Sequence, residues 1–438
     1  FTKNRNVLST SVKVGHSSDI FHCRLYITRT LFLSNWNNII YARMSTFLGL
    51  IKEIPGISVD CFNEEHLTSS IFFLSHCHTD HMLGLSDAFF QHLEQYNKHL
   101  YCSSITKVIL ENKYSILSSC IKDLDINTPT VIEYKVEDNH NIIITVTCVS
   151  AGHCPGSVMF LFEKGNESVL YTGDFRINPT DFPNLKKLHY RENSRSVPKV
   201  FNKIYLDTTM LNKNFLHLPT RKDSIIKICN ITREWLSKDP RNVVILECSA
   251  LYGSEFIFME LSKFLKMKIH VREYVYESYC RIPELSPYVT NDAHSTSVHA
   301  CKPKFSSPGL KCRNDVDTTN VVTIIPSVMK WKGKDTTKVG EWDETSERTY
   351  NVCYSTHASF NELKAFVQYF KPLQVFPCVA KEAEKDEIYS LLHEIVTQSG
   401  NIPSNKKETY NLKLSSHKTL FKFSLNSTDF SDDDDDNL

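Results

Sequence analysis

Three histidines and an aspartate fall within six positions at His76-Cys77-His78-Thr79-Asp80-His81. Neutral imidazoles beside a carboxylate are the donors that Zn²⁺ and similar divalent ions take. His76 and His78, two apart on an extended segment, point the same way. Asp80 and His81 come where the chain turns into the next element, so they can serve a neighbouring second ion. The apolar run Ile71 to Leu74 precedes the cluster and has strand character. The cluster is therefore expected just outside the carboxyl end of a strand, where α/β sheets place their sites.

Two later stretches supply what this cluster lacks. The β-branched run from Ile142 leads into Ala151-Gly-His153-Cys-Pro-Gly-Ser157, and Val169-Leu-Tyr-Thr-Gly leads into Asp174-Phe-Arg176. His153 offers a third nitrogen to a first ion, and Asp174 offers a carboxylate able to bridge two. Paired ions about 3.5–4 Å apart clamp the attacking and leaving oxygens in phosphoryl transfer. The chemistry expected is metal-assisted phosphodiester hydrolysis, with Asp80 and Asp174 nearest to hold or accept a proton. Asp60, at the end of the short strand Ile57-Ser-Val-Asp60, can orient a ligating histidine through its far ring nitrogen. Asp207 ends the strand Ile204-Tyr-Leu-Asp207, and His357 ends the alternating stretch Tyr350-Asn-Val-Cys-Tyr-Ser-Thr-His357. His357 is assigned to the second metal or its surroundings. The neighbourhoods of Ser157 and Arg176 are candidates to hold phosphates. A separate set, His270, His299, Cys301 and Cys312, has the two nitrogens and two thiolates of a closed structural zinc site, although its spacing is not that of a standard finger.

Ser75-His-Cys-His-Thr-Asp-His81, Ala151-Gly-His-Cys-Pro-Gly-Ser157 with the following Val-Met-Phe-Leu-Phe, and Leu170-Tyr-Thr-Gly-Asp-Phe-Arg176 together resemble the motifs of the DNA crosslink-repair branch of the metallo-β-lactamase/β-CASP family. The resemblance runs from Met44 to about Ile395. It implies an α/β fold, a metallo-β-lactamase αββα sandwich with an inserted α/β β-CASP domain forming one wall of the cleft. Asp207 is similar to the first β-CASP motif and His357 to the last. One type of enzyme in the branch carries a zinc in the insertion on residues that His270, His299, Cys301 and Cys312 match; the competing role for His299 is the general acid of RNA-cleaving β-CASP enzymes. The resemblance further implies zinc as the catalytic metal, with Mg or Mn an option at the second position. It implies a nuclear nuclease acting on DNA ends, hairpins and single-strand overhangs in end joining. DNA-dependent protein kinase and an end-joining ligase are its implied partners. A 5′-to-3′ exonuclease of crosslink or telomere repair has the same metal set, so it stays open, as does an RNA endonuclease.

The elements that must position these residues are legible in outline. The chain has 438 residues, more than one ordinary domain, with 41% hydrophobic and 23% charged residues, the balance of a soluble globular protein. Lys+Arg and Asp+Glu cancel at 50 each, so a phosphate-binding surface must come from a local patch. Fourteen cysteines are too sparse for a disulfide scaffold and read as reduced thiols. No apolar run approaches a membrane span. The expected division is 1–43, an extension; 44–207, the first part of the lactamase domain; 208–345, the insertion; 346–396, the return segment; and 397–438, a disordered acidic tail closing on Asp432 to Asp436. Residues 1–43 hold one acid, Asp19, against six Lys/Arg. That composition suits either a transit peptide or untranslated sequence read in frame, with Met44-Ser-Thr-Phe similar to the family's own start. Helices with short breaks are expected over 82–123. A capping box at Thr220 and Asp223 opens a helix with Ile225, Ile228, Cys229, Thr232, Trp235 and Leu236 on one face. Strand, helix and strand follow at 243–248, 253–265 and 268–271, then a loop over 286–320 and a helix from Phe360 to Phe370.

Overall fold

A computed structural model describes residues 46–114, 118–136, 140–193, 195–248, 252–301 and 310–398. The expectations for residues 1–43 and for the acidic run lie outside the described residues. Four short strands, β1 (Ile57–Val59), β2 (Ile71–Phe73), β3 (Leu100–Ser103) and β4 (Ile121–Leu124), form a parallel sheet. Helices α1 (Asp87–Gln95) and α2 (Ser104–Lys113) connect them. Strands β5 (Pro129–Lys135), β6 (Asn141–Ser150), β7 (Val158–Lys164) and β8 (Glu167–Tyr171) run antiparallel in a second sheet. A small hairpin, β9 (His189–Glu192) and β10 (Arg195–Pro198), leads to β11 (Lys203–Leu206), which lies parallel beside β8.

The chain then leaves the second sheet for about 170 residues. Helix α3 (Arg221–Leu236) opens on the Thr220–Asp223 capping box, with both reciprocal hydrogen bonds present. It buries Ile225, Ile228, Cys229 and Thr232. Next come β12 (Val243–Leu246), α4 (Glu255–Leu265), β13 (Ile269–His270), α5 (Glu273–Tyr279), β14 (Val289–Thr290), β15 (Val298–His299), β16 (Val321–Pro326), β17 (Gly340–Trp342) and β18 (Thr349–Val352). They build a seven-stranded sheet in the order β14-β13-β15-β12-β16-β18-β17, parallel except for the β17–β18 edge. Helix α6 (Phe360–Phe370), β19 (Gln374–Pro377) and α7 (Lys385–Gln398) then return, and β19 adds to the second sheet beside β11.

Side-chain alternation explains the layering. Along β2, Ile71 and Phe73 face the second sheet, while Phe72 faces α1 with Leu74 and Leu100. Along β7, Val158, Phe160 and Phe162 meet the first sheet, and Met159 and Leu161 meet α6 and α7. Strands apolar on both faces are strands covered on both faces, which gives helix, sheet, sheet, helix. The protein is an αββα sandwich of metallo-β-lactamase type, and its first-sheet core continues through Val244, Leu246, Phe258 and Ile324 into the third sheet.

Three sequence expectations need correction. Residues 82–123 are not all helical, because β3 and β4 lie among them. Leu100-Tyr-Cys-Ser is too short, and too poor in β-branched residues, to show a period of two. The stretch 286–320 holds β14 and β15, two-residue strands that no periodicity could mark. Finally, the stretch 371–398, expected only as part of the return segment, holds β19 and α7; the polar positions of α7 mask the buried Ile388, Leu392, Ile395 and Val396, and β19 is four residues long. Among the described residues no helix is long and apolar enough to cross a membrane.

The outer layer at α6 rests on aromatic packing: Phe366 is fully buried, with ring centroids 4.9 Å from Phe175 and 5.4 Å from Phe182. Phe366→Ala should cost about 3–5 kcal/mol of stability. Urea unfolding of the variant measures this, and a loss under 1 kcal/mol contradicts the packing account.

Candidate metal centre

Every residue of the site follows the carboxyl end of a strand. Asp60 follows β1; His76 and His78 follow β2; His153 follows β6; Asp174 follows β8; Asp207 follows β11; and His357 follows β18. Asp80 and His81 sit in the short 3-10 turn Thr79–Met82. The strand bundle therefore focuses side chains almost 300 positions apart in sequence onto one point. Close approach is needed there. Gly173 takes φ +49°, and a Cβ on it would lie 2.8 Å from Ser75 Oγ.

Asp174 is the centre. Its Oδ2 lies 3.7 Å from His76 Nε2, 3.6 Å from His153 Nε2 and 3.9 Å from His357 Nε2, while its Oδ1 lies 3.3 Å from His81 Nε2. His78 Nδ1 is 3.0 Å from His153 Nε2. Four of the five rings are steered from behind. Asp60 accepts from His81 Nδ1 at 2.8 Å, Asp207 from His357 Nδ1 at 3.0 Å and the Thr356 carbonyl from His153 Nδ1 at 3.1 Å. Ser75 Oγ stands 3.0 Å from His76 Nδ1. Such hydrogen bonds fix tautomer and ring direction, so that the inward nitrogens present lone pairs.

The electrostatics divide the site in two. Burial holds His76 and His153 well below the usual imidazole range. Burial also takes His78 down to about 4, against the pull of Asp174 and Asp80. These three rings are neutral donors. Burial works equally against a charged His357, but Asp207 and Asp174 outweigh it and raise that ring to about 9. His81 is likewise raised, with Asp174, Asp80 and Asp60 overcoming its burial. The carboxylates thus draw these two rings toward their charged form.

A divalent metal fits this cradle. His76 Nε2 is buried and has no hydrogen-bond partner, and it faces a carboxylate and other ring nitrogens. His76, His78, His153 and Asp174 form one group whose donor atoms lie within 4.8 Å of one another; Asp174, Asp207 and His357 form another. The pocket over them has a volume of about 300 Å³ and reaches Phe47, Leu48, Asn63, Leu83 and Thr209. Its described lining holds no Lys or Arg but five carboxylates, Asp60, Glu65, Asp80, Asp174 and Asp207. An anionic ligand can enter only against bound cations.

A second donor cluster lies on the third sheet. His270 Nδ1 is 3.0 Å from His299 Nδ1, Cys312 Sγ is 3.4 Å from that same nitrogen, and the Cys301 and Cys312 sulfurs are 3.3 Å apart. Hydrogen bonding from Cys301 and the two imidazoles holds Cys312 near 3, a thiolate, despite its burial. His299 Nε2 is buried and without a partner. Two nitrogens and two sulfurs converging in this way suit a tetrahedral cation.

The phosphate-holding role expected of Ser157 and Arg176 does not fit their geometry. Ser157 is buried, and its Oγ accepts from the His153 and Cys154 N–H groups, bracing the histidine loop. Arg176 is buried and engaged with Glu362, the Ser355 carbonyl and the Pro219 carbonyl, so its guanidinium ties the return segment to the loop after β8. Sequence reasoning missed Tyr171, whose hydroxyl donates to Asp60 Oδ2 at 2.8 Å, and Ser75, whose N–H and Oγ both donate to Asp60. Both are adjacent to recognised motifs, yet a hydroxyl at a strand end carries no signal by itself.

Fold and site together define a metallo-β-lactamase-type protein, built to hold divalent metal. The profile of DNA repair metallo-beta-lactamases matches residues 283–383. Protein artemis of Gallus gallus is 36% identical over 367 residues, covering 80% of this chain and 50% of the relative. Protein artemis of Homo sapiens is 35% identical over 406 residues, 89% of this chain and 57% of the relative. DNA cross-link repair 1A protein of Mus musculus is 28% identical over 342 residues, 75% of this chain and 30% of the relative. The chain belongs to the artemis-like branch of the metallo-β-lactamase/β-CASP family. It spans about half the length of the artemis relatives it matches.

Because Arg176 is structural, Arg176→Ala should leave Glu362 as an unpaired, largely buried charge and destabilise the fold by about 3–5 kcal/mol. Thermal melts and DNA-binding titrations of the folded fraction check this. Weakened binding without lost stability would restore a phosphate role.

Proposed function

We propose that the chain is a metal-dependent DNA nuclease that hydrolyses phosphodiesters at hairpins and overhangs, with 5′ exonuclease activity, in double-strand-break repair by end joining. The observation that carries this reading is Asp174, one carboxylate within 4 Å of four imidazoles that come from the ends of three strands, β2, β6 and β18, in a pocket lined by carboxylates. Zinc is the metal proposed for His76, His78, His153 and Asp174. Asp80, His81, Asp174 and His357 would hold a second ion, zinc or Mg or Mn. Bound there, divalent ions polarise the scissile phosphate and supply a nucleophile at neutral pH.

The chain's own residues do the rest. Asp174 keeps the two histidine groups in register. Asp80, with a side chain 47% exposed at the pocket, takes the proton released as water attacks phosphorus. Asp60 and Asp207 act through His81 and His357 and aim their rings. The residues proposed for the structural zinc are His270, His299, Cys301 and Cys312, and that ion's binding energy goes into folding the insertion, residues 208–345. His299 does not line the catalytic pocket, and its Nδ1 faces Cys312 and His270. This arrangement favours the structural role over that of an acid in RNA cleavage. The DNA repair named in the matching profile and in the cross-link repair relative supports DNA as the substrate. A nuclear location and contacts with DNA-dependent protein kinase and an end-joining ligase belong to the same proposal.

The test is an assay of the purified chain on hairpin-ended DNA, 5′-phosphorylated single strands and RNA side by side. His78→Ala and Asp174→Ala should abolish DNA cleavage and keep the fold; near wild-type cleavage by Asp174→Ala contradicts the shared carboxylate. Asp60→Asn and Asp207→Asn should each lose about 10–100-fold in metal affinity or rate. Cys312→Ala should lower zinc content and melting temperature, with activity following only the folded fraction. Full zinc content in Cys312→Ala, alongside a folded but inactive His299→Ala, would return His299 to the acid's role.

A further inference from the structure

Leu48 has the highest fractional exposure of any large apolar side chain among the described residues, at 73%, and it stands in the wall of the metal pocket. It is not loose. On one side, the Thr46 and Phe47 N–H groups donate to the Cys378 carbonyl at 3.0 and 3.4 Å. On the other, the Gly49 carbonyl accepts from Val59 N–H at 2.7 Å. The Leu48 carbonyl itself accepts from the buried His66 Nε2 at 2.7 Å. The Phe47 ring packs 5.1 Å from both Tyr171 and Tyr205. Gly49 takes φ +81° where a Cβ would lie 2.5 Å from Cys61 Cβ, so the strap is pressed against the sandwich. The backbone is pinned around an apolar side chain that is left in water.

The surroundings say what covers it. Phe47, Leu83 and Val379 line the same pocket and are only partly buried, so Leu48 is the most exposed of four side chains that give this carboxylate- and imidazole-bearing lining an apolar part. A phosphodiester seated at Asp174 carries a nucleoside on each side. The ring face of a base is the apolar surface such a ligand brings to that part of the lining, and aliphatic side chains wedge between bases in just this way.

We propose that Leu48 is a specificity-determining wedge: with Phe47, Leu83 and Val379 it takes the nucleobase next to the scissile phosphate and separates it from its stacked neighbour. This rests on the nuclease reading and adds a preference, because the wedge matters only where a base must be unstacked from paired DNA. An already unstacked single strand gains little from it.

The test compares wild type, Leu48→Ala and Leu48→Met on a hairpin-ended duplex and on a single-stranded oligonucleotide of the same length. Leu48→Ala should cut the hairpin about tenfold more slowly, with single-strand cleavage changed less than about twofold and Leu48→Met near wild type. In the metal-loaded protein, with a phosphorothioate at the scissile position to slow cleavage, 2-aminopurine beside the hairpin tip should brighten on binding wild type and not Leu48→Ala. Equal rates for wild type and Leu48→Ala on the hairpin overturn the wedge, and so do equal losses on both substrates. Wild type that cleaves neither DNA overturns the nuclease reading instead, a result separable from the other two.

Discussion

The structure depends on one electrostatic demand: the Asp174 carboxylate and four imidazoles must meet in a buried place whose described pocket lining holds no Lys or Arg. Unsatisfied, that arrangement costs several kcal/mol per buried charge. The protein meets it from outside, with Asp60, Asp207, Ser75 and the Thr356 carbonyl each holding the far nitrogen of one ring. Asp60 pays for its place with a left-handed backbone, φ +52°, that carries its oxygens to Ser75, His81 and Tyr171 at once. Strain at such a residue persists only where the surroundings over-determine it.

The two metal clusters answer to different physics. The cluster around Asp174 opens into a pocket and shares one carboxylate between two groups of possible metal donors. The His270, His299, Cys301 and Cys312 cluster ties β13 and β15, strands of two residues each, to the chain at Cys312. Strands that short supply few ladder hydrogen bonds, so a cation held there would substitute for pairing that the backbone cannot provide.

Much of the fold was legible before any coordinates. The strand-then-histidine order at Ile71 to His81 gave both a sheet and the end of the sheet where the chemistry sits. The Thr220–Asp223 box and the bounds of Phe360 to Phe370 were readable because capping and a period of 3.6 are local properties. What was not legible is what depends on distant partners. Arg176 beside a metal motif looks like an anion binder in sequence; only Glu362, 186 positions later, makes it a brace. Tyr171 and Leu48 likewise acquire meaning from Asp60 and from the pocket, and neither has a periodic signature.

One feature of the topology bears on how the molecule is made. His357, Thr356, Glu362 and β19 all lie beyond the seven-stranded insertion, yet they complete the first-formed half of the site and the edge of its sheet. During synthesis on the ribosome, the emerging chain has His76, His78, His153 and Asp174 long before it has the residues that finish the cradle. Any nascent or truncated product ending before position 357 lacks the last imidazole and the brace for Arg176. The cluster around Asp174 is thereby incomplete until the segment after β18 has been made.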